Sequence, residues 1–286
     1  MPYTADISRL NPACFLFLID QSGSMDQLLS GQPGQRKMDQ AADAINRILD
    51  TVAQRCSQGL EVRDYFDIGI LGYNTDGTGE PIVTSALSGT SPDQPFLSIS
   101  QVVDVAEVEE RQVKESDGAG GLVELTRRIP IWLHPHAQYG TPMCRAFEVA
   151  LRAVEQWVTE HPESFPPIVI NVSDGMASDG NPESNARKIM DLETSDGSAL
   201  LFNVHLSEVP ALPVQYPDQA ELLPQNDEYA STMFRMSSVL PESSRSQAQS
   251  LDLQVSENSR GYVFNADLTA LVQFLDIGTR AASNLH

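Results

Sequence analysis

Positive charge is scarce in this chain, with 18 Lys and Arg against 39 Asp and Glu and a formal net charge of −21. Such a surface repels polyphosphate backbones and anionic lipid, which argues against nucleic-acid and membrane binding. Cysteine is also rare, at three residues, and Cys14, Cys56 and Cys144 have neither metal-type spacing nor a disulfide framework. They read as core residues of a reducing compartment. No apolar run approaches the length that spans a bilayer. The first residues, Met-Pro-Tyr-Thr-Ala-Asp, carry no basic segment followed by an apolar one, so the expected location is cytoplasmic. The Gly-rich stretch Asp117-Gly118-Ala119-Gly120-Gly121 does not open a helix after a strand and is no nucleotide fingerprint.

What remains is ordinary globular material, 41% hydrophobic and 20% charged, long enough at 286 residues for one large α/β domain with an elaborate insertion. Cys14 to Ile19 is a continuous apolar run of the kind found in central parallel strands. Met38, Ala41, Ala42, Ile45, Ile48, Leu49 and Val52 recur at helical spacing, which predicts a helix over Arg36 to Cys56. Tyr65 to Tyr73 reads as a second strand, stopped by Asn74-Thr75-Asp76-Gly77. Between Pro81 and Pro135 the pattern changes to short strands at Ile82–Leu87, Leu97–Val103 and Gly121–Leu133, and Glu107 to Gly121 is open to two readings, a mobile recognition loop or a solvated hairpin. Alternation then resumes: a helix over Met143–His161, a strand over Pro167–Val172, a helix over Pro182–Glu193 entered through Asn181, and a strand over Ala199–Leu206. A helix around Asp227–Leu240, helical turns in Ser246–Val255, a strand over Gly261–Asn265 and a final helix over Leu268–Ala281 complete the chain. Met233, Phe234 and Met236 are open to a core or a partner-groove role.

Strands alternating with helices imply a Rossmann-like, doubly wound and mostly parallel central sheet flanked by helices, with an enlarged β-rich insertion at about 81–139 in a single domain over 1–286. In such sheets ligands sit beyond the carboxyl ends of the strands. Two central-type strands end in carboxylates, Asp20 and Asp174. Asp20-Gln21-Ser22-Gly23-Ser24 places hard oxygen donors on a loop that curls over a strand tip, and Gly140-Thr141 adds a hydroxyl at a helix start. Neutral hydroxyls with one or two carboxylates suit a small divalent cation that retains water, which favours Mg²⁺ (with Mn²⁺ or Ca²⁺ as alternatives).

Taken in order, Asp20-x-Ser22-x-Ser24, Gly140-Thr141-Pro142-Met143 and Val172-Ser173-Asp174-Gly175 resemble a von Willebrand factor A domain with an intact metal-ion-dependent adhesion site. The resemblance implies a metal on top of the sheet, ligated by Ser22 and Ser24, by Asp20 directly or through water, by Thr141 directly or through water, and by Asp174, often through water. A partner protein's carboxylate would complete the shell. The motifs are similar to those of bacterial intracellular members, including the tellurite-resistance-associated group. Those relatives act as adaptors or scaffolds beside kinases, phosphatases or ring ATPases. On this reading the chain is a binding module and not an enzyme. Two alternatives stay open: a metal-dependent hydrolase or phosphoryl-transfer enzyme, and a structural subunit stiffened by the metal. For the first, a phosphatase-type second carboxylate is replaced by Ser22, and Gly-x-Ser-x-Gly is absent. His134 and His136 are the candidates for a base, and His161, His205 and His286 have no companions.

Overall fold

A computed structural model of the chain describes residues 3–30, 34–59, 61–116, 122–267, 269–270 and 272–273. Among these an eight-stranded sheet organises the molecule. Its strands are β1 (Ala13–Asp20), β2 (Phe66–Thr75), β3 (Pro81–Ser85), β4 (Phe96–Ser98), β7 (Ile168–Ser173), β8 (Leu200–His205), β9 (Val214–Gln215) and β10 (Tyr262–Phe264). β5 (Glu107–Ser116) and β6 (Leu122–Ile131) form a separate antiparallel hairpin. The sheet order is β9-β10-β8-β7-β1-β2-β3, with β4 beside β3 on the outer edge of β2. The five inner strands, from β10 to β2, are parallel, and β3, β4 and β9 run antiparallel at the two edges. The protein is therefore of the mixed α/β class with a mostly parallel central sheet.

Period-two alternation in β1 sends Phe15, Phe17 and Ile19 to one face and Leu16 and Leu18 to the other. The first set packs with Ile45, Ile48 and Leu49 of α1 (Lys37–Cys56). The second packs with Met143, Phe147 and Ala150 of α3 (Met143–Glu160) and with Ala186 and Ile189 of α4 (Glu183–Met190). Both faces of β1 are thus covered, which is why its eight residues are all buried and its sequence shows no polar alternation. No helix among the described residues is long and apolar enough to cross a membrane.

Several expected elements differ. Leu97–Val103 is not a strand: β4 ends at Ser98, and α2 (Ile99–Asp104) follows. Ser98 and Gln101 form a capping box there, and Ile99 and Val102 bury the same helix face; the cap and the i,i+3 burial outweigh the β-propensity of Ile and Val. The helix expected over Asp227–Leu240 is α5 (Ala230–Arg235), started where Asp227 Oδ1 accepts from the amides of Tyr229 and Ala230. Met233, Phe234 and Met236 are core, not groove. Helical turns expected in Ser246–Val255 lie earlier, in α6 (Glu242–Ser250). Asn74 and Thr75 still belong to β2, and the turn begins at Asp76, whose Oδ1 accepts from Thr78 and Glu80 amides. Glu107 to Ser116 is one arm of the hairpin; Asp117–Gly121 and most of Leu268–Ala281 lie outside the described residues. So do residues 31–33 in the loop before α1, and His286.

Candidate metal centre

β1 lies between β7 and β2, and the chain leaves it toward β2 first and reaches β7 later. The sheet order therefore reverses at β1, and the crevice beyond its carboxyl end is where ligands bind in this architecture. Asp20 is the last residue of β1, and Asp174 follows the last residue of β7.

Asp20 is 1% exposed. Its Oδ1 accepts from the Ser22 amide at 2.9 Å, which turns the chain over the strand tip, and its Oδ2 accepts from Ser173 Oγ at 2.6 Å. Ser22 and Ser24 then lie with their hydroxyls 3.1 Å apart in a short helical turn. Burial first, and next the charge of Asp174, push the Asp20 carboxyl up to about 7, against the pull of hydrogen bonds from Ser173 and Ser22. A cation beside it would act the other way, favouring the ionised form.

The Thr141 loop is tied to the Asp20 loop by two backbone bonds, Gly23 N–H to Tyr139 O at 2.8 Å and Gln138 N–H to Gln21 O at 2.7 Å. It is tied to the loop after β7 by Thr141 N–H to Ser178 Oγ at 3.1 Å and Ser178 N–H to Thr141 O at 2.8 Å. Asp179 accepts from the amides of Cys144 and Arg145 and caps α3. Gly175 has φ +91, and a Cβ there would lie 2.6 Å from Tyr229 Cβ, so only glycine fits that turn.

Several backbone bonds tie these loops together, yet two of their side-chain oxygens have no partner. Thr141 Oγ1, in a residue 0% exposed, and Asp174 Oδ1 are both buried without a hydrogen-bond partner. Buried polar atoms are nearly always paired, so these two oxygens, like a few others among the described residues, are left open to a bound ligand or water. Among the described residues no cluster of three His, Cys, Asp or Glu side chains is placed to hold a metal. The set at this strand tip is instead two carboxylates and three hydroxyls, a donor set that fits a hard divalent cation.

Sequence reasoning missed two residues here. Lys37, buried at the first position of α1, has its Nζ 3.3 Å from Asp174 Oδ2 and 3.2 Å from Glu208 Oε1. His205, the last residue of β8, stands beside Ser173 in register and is fully buried. Its Nε2 lies 2.9 Å from the Asp174 carbonyl and its Nδ1 2.9 Å from Tyr262 Oη. The carbonyl accepts only, so Nε2 carries the proton and Nδ1 accepts from the tyrosine. Burial lowers the His205 pKa and keeps the ring neutral, although the nearby Asp227 charge opposes this. His205 was findable, because it ends the strand next to the one carrying Asp174; nothing in the sequence pairs Lys37 with a residue 137 positions away. His134 and His136 stay on the surface, His134 beside Glu107 at 3.0 Å and His136 beside Asn74 at 3.4 Å.

The chain matches no family model and no curated protein. Among solved structures it is similar to the vWF domain of the type V pili tip protein Mfa5 from Porphyromonas gingivalis, at 14% identity and a TM-score of 0.33, over 59% of this chain and 39% of that one. It is also similar to the PilB minor pilin from Streptococcus sanguinis (11% identity, TM-score 0.47, 97% of this chain and 63% of that one). A third is proximal thread matrix protein 1 from the mussel byssus (12% identity, TM-score 0.41, 96% of this chain and 49% of that one). This chain thus spans well under two thirds of the length of the Mfa5 and byssus chains.

Proposed function

We propose that this chain is a metal-dependent protein-interaction module of the von Willebrand factor A type. Asp20, Ser22, Ser24, Thr141 and Asp174 would hold one divalent cation, Mg²⁺ by preference, at the carboxyl end of the central strands. The observation that carries this reading is the pair of buried, unpartnered oxygens, Thr141 Oγ1 and Asp174 Oδ1, at the strand tip where Asp20 and the Ser22–Ser24 pair also lie. When bound, the cation supplies positive charge on a face that otherwise repels acidic groups, and a partner's carboxylate takes a position left to water. The protein's own groups do the positioning: Ser173 orients Asp20, His205 fixes the Asp174 backbone, and Asp179 anchors the start of α3 behind Thr141. The role is that of a cytoplasmic adaptor or scaffold beside kinase, phosphatase or ATPase subunits, and it requires no chemistry at the site.

The test is calorimetric titration of Mg²⁺ into the parent protein, Ser22→Ala and Thr141→Val, with water-proton relaxation of bound Mn²⁺ before and after acetate is added. Binding that both variants weaken, with bound water displaced by acetate, supports the reading. Absence of binding in the parent, or relaxation that acetate leaves unchanged, would falsify it. Metal-dependent turnover of a phosphorylated substrate would transfer the site to the enzyme class.

A further inference from the structure

Lys37 is 1% exposed, and its ammonium is divided among three side chains. Nζ lies 3.3 Å from Asp174 Oδ2, 3.2 Å from Glu208 Oε1 and 3.4 Å from Gln27 Oε1. A lysine stem that runs inward to this point is a built arrangement, since a buried charge is kept only where partners compensate it. The two acids are unlike. Asp174 is nearly buried, with 8% of its side chain exposed, whereas the Glu208 side chain is 56% exposed. Asp174 is divided too, with Oδ2 on Lys37 and Oδ1 buried without a partner. A cavity of about 250 Å³ adjoins this group and is lined by Ser24, Lys37, Asp174, Glu208 and Tyr229 among others, so the lysine shares one space with two of the candidate ligands, Ser24 and Asp174.

We propose that Lys37 is a built-in counter-ion of the cation site, which holds Asp174 in place when no metal is bound and competes with the metal for that carboxylate. The inference rests on the reading of the five residues as a cation site. Asp20, Asp174 and the Lys37 ammonium sum to a single net negative charge, to which the Glu208 carboxylate, 56% exposed, adds a second one that solvent screens. A divalent cation there keeps positive charge for an incoming carboxylate and is held loosely until one arrives. Glu208 sets the balance from the outside: when it draws Lys37 toward itself, Asp174 is released to the metal.

The experiment is titration calorimetry of Mg²⁺ into the parent, Lys37→Met, Arg36→Gln and Glu208→Gln, with thermal melting of each in chelator and in Mg²⁺. Lys37→Met is expected to bind Mg²⁺ about tenfold tighter, to melt below the parent in chelator and to regain the difference in Mg²⁺. Arg36→Gln removes an equal charge from the neighbouring exposed position, where it pairs with Asp26, and should leave affinity within about twofold. Glu208→Gln leaves Lys37 resting on Asp174 and should weaken binding about threefold or more. A parent that binds while Lys37→Met is unchanged, weaker, or matched by Arg36→Gln overturns the proposal and leaves the adhesion reading standing. If Lys37→Met does not fold, unaltered affinity in Glu208→Gln overturns it. A parent that binds no Mg²⁺ sinks the adhesion reading itself.

Discussion

The Ser173 hydroxyl donates to Asp20 Oδ2 at 2.6 Å, so the last residue of one parallel strand orients the terminal carboxylate of its neighbour. Ser173 Oγ in turn accepts from the Gly175 amide at 3.0 Å and so also shapes the turn that carries Asp174. Ser173→Ala removes both bonds and leaves a buried carboxylate oxygen and a buried amide unpaired. It should cost about 1–3 kcal/mol of stability, read as the urea midpoint in chelator, and weaken Mg²⁺ binding. A variant as stable as the parent would show that the hydroxyl is dispensable.

Thr141→Val separates function from fold. The Oγ1 atom has no protein partner and is buried, so an isosteric methyl should leave the metal-free protein as stable as the parent or up to about 1 kcal/mol more stable. The stabilisation that saturating Mg²⁺ confers on the parent, about 2.7 kcal/mol at a hundredfold excess over Kd, should shrink in the variant. A loss of metal-free stability instead would mean that the hydroxyl has a structural role.

Stability should depend on pH through Asp20. Its folded-state value of about 7 lies above its usual 3.8, so between those values the folded protein holds a proton that the unfolded chain has lost. The contribution to stability therefore falls as pH rises through that window and is fully lost above about 7. In chelator, Asp20→Asn should be more stable than the parent at pH 8, an advantage that disappears toward pH 4. In Mg²⁺ at pH 8 the order should reverse. Denaturation midpoints at the two pH values decide it, and a difference that does not vary with pH contradicts the assignment.

Gly175→Ala places a Cβ 2.6 Å from Tyr229 Cβ at a backbone φ of +91. Strain and overlap together should cost about 2–4 kcal/mol and displace Asp174, with Mg²⁺ affinity falling in parallel. A Tm unchanged from the parent would show that the turn relaxes freely.

Several parts of the fold were legible because they depend on local patterning. β1 is a closed apolar run since both its faces are covered, and α1 and α3 show helical spacing since each buries a single stripe. Leu97–Val103 was misread because Ile and Val favour strands in isolation, while Ser98 and Gln101 cap a helix and Ile99 and Val102 fill a core slot. The short α5 was overextended because the buried Met233, Phe234 and Met236 continue a pattern that the chain itself leaves after Arg235.

By itself the sequence determined the donor types and the strands that carry them: Asp20 and Asp174 at strand ends, hydroxyls at Ser22 and Ser24 two apart, Thr141 before a helix. These follow from residue chemistry and from periodicities of a few residues, which a single chain displays directly. Only the tertiary structure decided which oxygens are left without partners, that Ser173 bonds the Asp20 carboxylate and His205 the Asp174 backbone, and that Asp174 and Glu208 share Lys37. The physical reason is that burial and ion pairing are properties of neighbours brought together by the fold, across 153 residues for Ser173 and Asp20, 137 for Lys37 and Asp174 and 31 for His205 and Asp174, separations that no local pattern encodes.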